Sequence, residues 1–440
     1  MAISQDLSLE TSMDALVDTY KAYQGLYLEH LISRVEPSGY ISASCEYEHY
    51  GAHWFRDSSF IAISLLEVAG RKSDVDDAYR QEAMAAANRI IARNIEEMEK
   101  LTGTLAKTVS SPLNDDAFFL LSNHIYARFG RTGMYANDTK QLDVKRSWLM
   151  QHDSLPLLLL SLEKKADLLG LETHEREFLN RHGVLFADYL GRIYTTECAN
   201  IWEIEQDLVH SYDVASVHSA FRAMERMCRL GEIGSISEHE VREKELGLQS
   251  GGPLEYMKRY FIRDGILYSS KRKQEDHPAE EMGVDASAIY VFTDLKLHDS
   301  ELGSDVEEKT IGRVEKDLFN GRRMPWRFLG DRYFGGRPWV HLAEKYAAYY
   351  ADRGQVGKAI EIQNYVISKF GQKLPEQEDE YMQSPDKDLD GELARNGGKT
   401  ISELAWAYAE AIRALQKIID SDYVNNGADA QAPTSAALTN

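Results

Sequence analysis

Cysteine is scarce in this chain: three in 440 residues, Cys45, Cys198 and Cys228, with no CxxC pair among them. That excludes a disulfide framework and a cysteine-based zinc site, and it points to a reducing compartment. Long apolar runs are missing as well. No segment approaches the ~18 uninterrupted apolar residues of a membrane span. The first residues, MAISQDLSLETSMDALVDTYKAY, lack a basic stretch followed by an apolar one. The sequence is therefore read as cytoplasmic, with no membrane partner. Basic residues are outnumbered, 50 against 71 acidic, for a formal charge of −21. Such a field repels nucleic-acid phosphates, so a neutral small molecule or glycan is the expected partner and nucleic acid is not.

What the chain does have is helical periodicity over most of its length. Twelve helices are expected, at 10 to 34, 57 to 69, 74 to 100, 153 to 170, 173 to 190, 208 to 230, 236 to 262, 284 to 293, 304 to 319, 338 to 352, 355 to 370 and 401 to 419. Gly70, Gly170 and Gly231 suit helix ends, Pro338 suits a first turn, and Ser304 with Glu307 and Thr400 with Glu403 read as capping boxes. The helices alternate in kind. DDAYRQEAMAAANRIIARNIEEMEK carries a wide charged face, whereas SSFIAISLLEVAG, SLPLLLLSL and DASAIYVFT are apolar nearly all round, hence buried on every side. Six outer and six inner helices in alternation describe an all-α (α/α)6 barrel, one domain over 1–420 with a disordered tail over 421–440. Long irregular segments, 101 to 152, 191 to 207, 263 to 283, 320 to 337 and 371 to 400, each precede an even-numbered, inner helix. They should gather at one end of the barrel and build a site there.

Those segments and the helix starts beside them concentrate aromatic and charged residues. HWFRDSS supplies Trp54, Arg56 and Asp57; WLMQHDS supplies Trp148, Gln151 and Asp153; NIWEIEQD supplies Trp202 and Glu203. Arg327, Asp331 and Trp339 follow in PWRFLGDRYFGGRPW, Glu376 in LPEQEDEYM, and Trp406 in ELAWAYAEAIRAL. A sugar offers an apolar face to stack on indole and a rim of hydroxyls for Arg, Asp and Gln to grip, so tryptophans with charged neighbours in convergent loops suit a carbohydrate pocket.

Tyr50, HWFRD, QHDS before an apolar helix, IWE, RF with Asp331 and GGRPW, PEQ and the final AWAYAEAIRAL stand in this order over about residues 45 to 415. In that order they resemble glycoside hydrolase family 15, the glucoamylase-like enzymes. The resemblance implies that Glu203 is the general acid and Glu376 the general base of an inverting exo-α-glucosidase acting without a cofactor or metal. It also implies that Arg56 and Asp57 hold the terminal glucose, that Arg327 and Asp331 belong to the same pocket, and that Trp148 to Asp153, Trp339 and Trp406 line it. An inverting glycosidase needs one carboxyl protonated and one ionised. Glu203 is expected to be kept protonated by burial beside Trp202 or by a neighbouring carboxylate, and Glu376 to be ionised in a wetter, hydrogen-bonded place. Glu205 and Asp207 then tune the acid or start the next helix. The additional N-terminal β-sandwich or starch-binding module of some relatives is not expected here, which favours short α-linked gluco-oligosaccharides, α-1,6 sugars included, over raw starch. Two alternatives stand beside this reading: an inverting phosphorylase or trehalase-type enzyme on the same barrel, and a non-catalytic glycan-binding barrel. DKDLDGELARNG, with Asp386, Asp388 and Asp390, starts like a calcium loop but has Gly397 at position twelve, and is taken as a solvated acidic loop.

Overall fold

A computed structural model of the chain describes residues 13–44, 48–71, 77–111, 128–130, 133–134, 151–203, 208–272, 275, 278, 283–378 and 400–421. Its helices, in chain order, are α1 Met13–Ser33, α2 Phe55–Ala69, α3 Asp77–Ser110, α4 Ser154–Leu168, α5 Thr173–Ile193, α6 Ser211–Arg229, α7 Glu238–Leu246, α8 Pro253–Tyr260, α9 Ala288–Phe292, α10 Asp299–Leu302, α11 Val306–Val314, α12 Val340–Asp352, α13 Val356–Phe370 and α14 Ala405–Ile419. Packing sorts them into two layers. A closed inner ring runs α2–α4–α6–α9–α12–α14 and back to α2, while α1, α3, α5, α7 with α8, α11 and α13 wrap it. This is the (α/α)6 barrel that the alternation of helix types foretells. All of α2 but Glu67 is buried, whereas the outer α3 buries only a stripe that includes Met98, Leu101, Leu105 and Thr108.

Several expected boundaries move, and four of the shifts have a local reason. The third helix runs ten residues past Lys100, through Gly103, because Leu101 and Leu105 extend its buried stripe. Burying a leucine gives about 1.5–3 kcal/mol, more than the ~1 kcal/mol an interior glycine costs. The helix expected over 236 to 262 is two, parted at Leu246: Ser250, Gly251 and Gly252 all take positive φ, and a Cβ on Gly252 would lie 2.7 Å from the Glu245 carbonyl oxygen. Neither expected capping box forms. The N-cap before Val306 is Asp305 in a left-handed conformation, and the Glu307 N–H donates instead to Asp299 Oδ1 at 2.8 Å. Helix α14 starts only at Ala405, and the Thr400 hydroxyl donates to the Gln377 carbonyl at 3.1 Å, which ties two loops together.

The inner helices point the same way. Residues of their first turns meet around the axis: Arg56 of α2 lies over Trp406 of α14, and Trp406 packs on His341 of α12 and Tyr290 of α9. The described ends of the long irregular segments lead into inner helices at this mouth. Short antiparallel pairs tie some of them down: β1 His53–Trp54 with β2 Arg128–Gly130, and β3 Val209–His210 with β4 Ser270–Lys271. Of the tail expected over 421–440, all but Ser421 lies outside the described residues.

Candidate active site

The loop entering α6 makes a tight turn around Asn200. Its side-chain Oδ1 accepts the Trp202 N–H at 2.9 Å, its carbonyl accepts the Glu203 N–H at 2.8 Å, and Glu203 is driven to φ 64°, a left-handed conformation uncommon outside glycine. Trp202 is fixed from the other side, because its indole N–H reaches both oxygens of Asp285, at 2.9 and 2.8 Å. Glu203 thus projects from a turn whose neighbours are immobilised. Its carboxylate pairs with Arg56, Nη2 to Oε1, at 3.0 Å.

Arg56 is the hub of this side of the mouth. Besides Glu203 it binds Asp57, with Nη2 to Oδ1 at 3.0 Å, and donates from Nη1 to the Ile201 carbonyl, so one guanidinium of α2 holds the Glu203 loop at two points. Its cation also lies 5.2 Å from the Trp406 ring centroid and 5.9 Å from that of Trp54. Burial raises the Asp57 carboxyl and Arg56 opposes it, while Glu203 adds to the rise. Asp153, the N-cap of α4, is pushed up to about 6 by burial, against Arg56 and with Asp57 and Glu203 adding. Both amide atoms of Gln151 are buried without a partner among the described residues.

The opposite wall is built on a second arginine. Arg327 grips Asp331 with two parallel bonds, Nε to Oδ2 at 2.8 Å and Nη2 to Oδ1 at 2.7 Å, and lies 4.4 Å from the centroid of Trp339 and 5.6 Å from that of Trp202. Phe334, Gly335 and Gly336 all have positive φ, turning the chain sharply enough to bring Tyr333 back to stack on Trp339 with centroids 6.0 Å apart. Trp339 packs on Trp202 at 5.8 Å and edge-on to His341 at 5.3 Å, and His341 stacks on Trp406 at 4.4 Å. The floor is a continuous aromatic surface.

Glu376 sits against this wall. Its backbone is pinned between α12 and the loop before α14: its N–H donates to the Ile401 carbonyl at 2.7 Å, and its own carbonyl accepts from Val340 at 3.0 Å. The Tyr50 hydroxyl donates to Glu376 Oε1 at 2.6 Å and also contacts the Tyr333 hydroxyl, while Oε2 has no partner among the described residues. Burial pushes the carboxyl up to about 8, with the Tyr50 hydrogen bond and Arg327 opposing and Asp57 and Glu203 adding. The two glutamates therefore share one electrostatic environment.

This arrangement reverses the expected division of environments. Glu203, expected to be buried, has a side chain 28% exposed and paired with a cation. Glu376, expected in the wetter place, is 3% exposed, and burial pushes its carboxyl up to about 8. The cause lies in packing from distant segments: Tyr50, Tyr333 and Arg327 close over Glu376, whereas the Asn200 turn lifts Glu203 toward the opening.

Of the residues singled out in the sequence, Trp54, Arg56, Asp57, Gln151, Asp153, Trp202, Glu203, Arg327, Asp331, Trp339, Glu376 and Trp406 all come to this mouth. Trp148 lies outside the described residues, as do Glu205, Asp207, Asp386, Asp388 and Asp390. Trp326, a sixth clustered tryptophan, packs under the Arg322 guanidinium at 4.2 Å instead. Sequence reasoning left Tyr50, Asp285, Tyr333 and His341 without roles. A positional signal exists for one of them, His341, since Arg56, Tyr212, His341 and Trp406 are each the second residue of an inner helix. A cavity of about 640 Å³ opens at the other end of the barrel, between the C-terminal ends of the inner helices, and none of these residues lines it.

Comparison with known proteins agrees with this geometry. No curated protein matches the sequence. Among solved structures, a wild-type glycosidase superposes with a TM-score of 0.71 at 18% identity, covering 92% of this chain and 98% of that one. A variant of a glycosidase with a glutamate replaced by alanine, in complex with glucose, superposes with a TM-score of 0.72 at 18% identity and the same coverage. The glucoamylase of Hormoconis resinae gives 0.56 at 14% identity, covering 96% of this chain and 77% of that one. At these identities the likeness establishes the fold. The family is carried by the sequence itself, because the model of glycosyl hydrolases family 15 matches residues 18–291. With the barrel and that match together, the chain belongs to glycosyl hydrolases family 15 and is a glycoside hydrolase.

Proposed function

We propose that the protein is an exo-acting, inverting α-glucosidase that removes glucose from the non-reducing ends of short α-1,4- or α-1,6-linked gluco-oligosaccharides, releasing β-glucose. One observation carries the reading. Glu203 and Glu376, from loops far apart in sequence, face one aromatic floor between two arginine–aspartate pairs, and each carboxyl is held by a single partner, Arg56 or Tyr50. The terminal sugar stacks on the tryptophans, and the N–H groups of Arg56 and Arg327 take its hydroxyls, with Asp57 and Asp331 accepting. Glu203 donates a proton to the leaving oxygen. Glu376 accepts one from a water through Oε2, the oxygen that Tyr50 leaves open, and the water attacks the opposite face of the anomeric carbon. A solved relative of the same fold holding glucose is in keeping with a glucose-sized pocket. Cys198 and Cys228 are both free thiols, in keeping with a cytoplasmic site of action.

The burial of Glu376 favours a second assignment, in which Glu376 gives the proton and Glu203 activates the water. Leaving-group chemistry separates the two. A variant lacking the acid keeps turnover of α-glucosyl fluoride, whose leaving group needs no proton, while losing α-linked disaccharides. A variant lacking the base loses both and regains turnover with azide. Glu203→Gln is expected to behave in the first way and Glu376→Ala in the second, and the opposite pairing exchanges the roles. The overall reading is tested by proton NMR of the purified protein with maltose, isomaltose, trehalose and maltotriose. β-Glucose is expected as the first product, and α-glucose or no cleavage of any of them overturns the proposal.

A further inference from the structure

This inference rests on the reading above, in which Glu203 is the acid and Arg56 grips the terminal sugar. In the free protein those two duties conflict. A carboxylate in an ion pair is an acceptor only and has no proton to give. Arg56 Nη2 donates to Glu203 Oε1 at 3.0 Å, its Nε to Asp57 Oδ1 at 3.1 Å and its Nη1 to the Ile201 carbonyl, so each of its three nitrogens already holds a partner and the one facing Glu203 is committed to it. Both conflicts are removed by the same exchange of partners.

We propose that Arg56 is the arming residue of the active site: it holds Glu203 as an ion pair until the hydroxyls of the terminal sugar take over its Nη2, whereupon Glu203 takes up one proton from solvent and turns to the glycosidic oxygen. The local geometry permits this motion. Glu203 is 28% exposed and reaches Arg56 through one oxygen, whereas Arg56 itself is fixed by Ile201, Asp57 and the Trp54 and Trp406 rings. The carboxylate is therefore the partner that moves. Among the described residues, the carboxyls of Asp57, Asp153 and Glu376 all feel the charge of Glu203. Once the guanidinium is engaged by sugar, Glu203 faces the Asp57 and Asp153 carboxyls without its counter-ion, and a proton relieves that repulsion. Only a correctly bound non-reducing end makes the switch, so the acid is protonated when a substrate is there to use it.

The exchange makes sugar binding proton-linked, and a merely structural Arg56–Glu203 pair would not. The test is calorimetric titration of the wild-type protein with a sulfur-linked, non-hydrolysable glucose disaccharide in buffers of different ionisation enthalpy, repeated with Glu203→Gln. The wild type is expected to take up about one proton more per ligand than the variant, and its Kd to rise about tenfold per pH unit above neutrality. Equal proton uptake by the two proteins, or a crystal structure of the complex with Arg56 Nη2 still on Glu203 Oε1, overturns the inference. Hydrolysis of the oxygen-linked disaccharide by Glu203→Gln at the wild-type rate, or failure of the sulfur-linked sugar to bind, overturns the underlying assignment instead. The two failures are thereby told apart.

Discussion

The two ends of the barrel are built from the same six inner helices and treat polar groups in opposite ways. At the C-terminal end, charges are buried and paired: Lys345 bridges Asp294 and Glu410, and Arg413 binds Glu67 at 3.0 Å and Asp294 at 2.6 Å. These cations face the negative ends of the inner-helix dipoles, where they are favoured. At the N-terminal end, Gln151, the Trp339 indole N–H, both nitrogens of His341 and Oε2 of Glu376 are buried without partners among the described residues. An unmet buried polar group costs about 1–3 kcal/mol, which the fold tolerates at the end where a ligand can supply the missing bond. Stability is concentrated at one mouth and recognition at the other.

That division can be broken by substitution. Glu203→Gln should lower kcat on disaccharides by about 10²–10⁴-fold, the usual contribution of a positioned proton donor, with a thermal midpoint unchanged; a large fall in midpoint would mean that the pair with Arg56 is structural. Lys345→Met should do the reverse. It leaves Asp294 and Glu410 to share Arg413 as their remaining cation, so denaturant unfolding should show a loss of about 3 kcal/mol, with kcat of the folded protein near wild type.

The pH dependence of unfolding sharpens the contrast. Burial raises the Glu67 carboxyl, but Arg413 and Lys164 outweigh it and hold it down to about 2, below its ordinary value of 4.5. Its contribution is present above 4.5 and is lost as pH falls toward 2. Glu376 has the opposite sign: raised to about 8, it favours the folded state while protonated and works against it as pH climbs from 4.5 through 8. From these two groups, wild type should therefore lose stability on both sides of a maximum near pH 4.5. Glu376→Gln should lessen the decline above pH 4.5 and leave the acid one, the remainder belonging to other raised carboxyls such as Glu344, at about 8, and Asp285, at about 6; an unchanged decline assigns it wholly to those groups.

The smallest expected effect lies one step behind the sugar. Asp285→Ala removes the acceptor of the Trp202 indole N–H, worth about 1 kcal/mol, so KM for disaccharides should rise about fivefold with little change in kcat. An equal fall in kcat would show that Trp202 also positions the reacting centre.

Much of this was legible in the sequence, for a physical reason. A helix buried on all sides advertises itself by composition, so SSFIAISLLEVAG and its counterparts mark the inner ring, and the long segments before them mark the mouth. Glu203, Glu376 and the two arginines could be placed at that mouth because loop position alone decides it. Their environments were not legible, since the cover over Glu376 comes from Tyr50 and Tyr333, the latter brought in by a positive-φ turn through Phe334 to Gly336. Asp285 and His341 escaped notice because neither carries a motif. Each matters through what it touches, Trp202 in one case and Trp339 with Trp406 in the other.

The inner wall has one thin stave. Helix α9 is five residues long where the other inner helices have thirteen or more, so it keeps few internal amide–carbonyl bonds and relies on its neighbours for the rest of its order. Opening of a protein begins where such local support is least. The segment just ahead of α9 carries Asp285, the anchor of Trp202. Breathing of this one stave would loosen the indole beside Glu203 while the five longer helices stay closed, which confines the softness of the mouth to the Glu203 side.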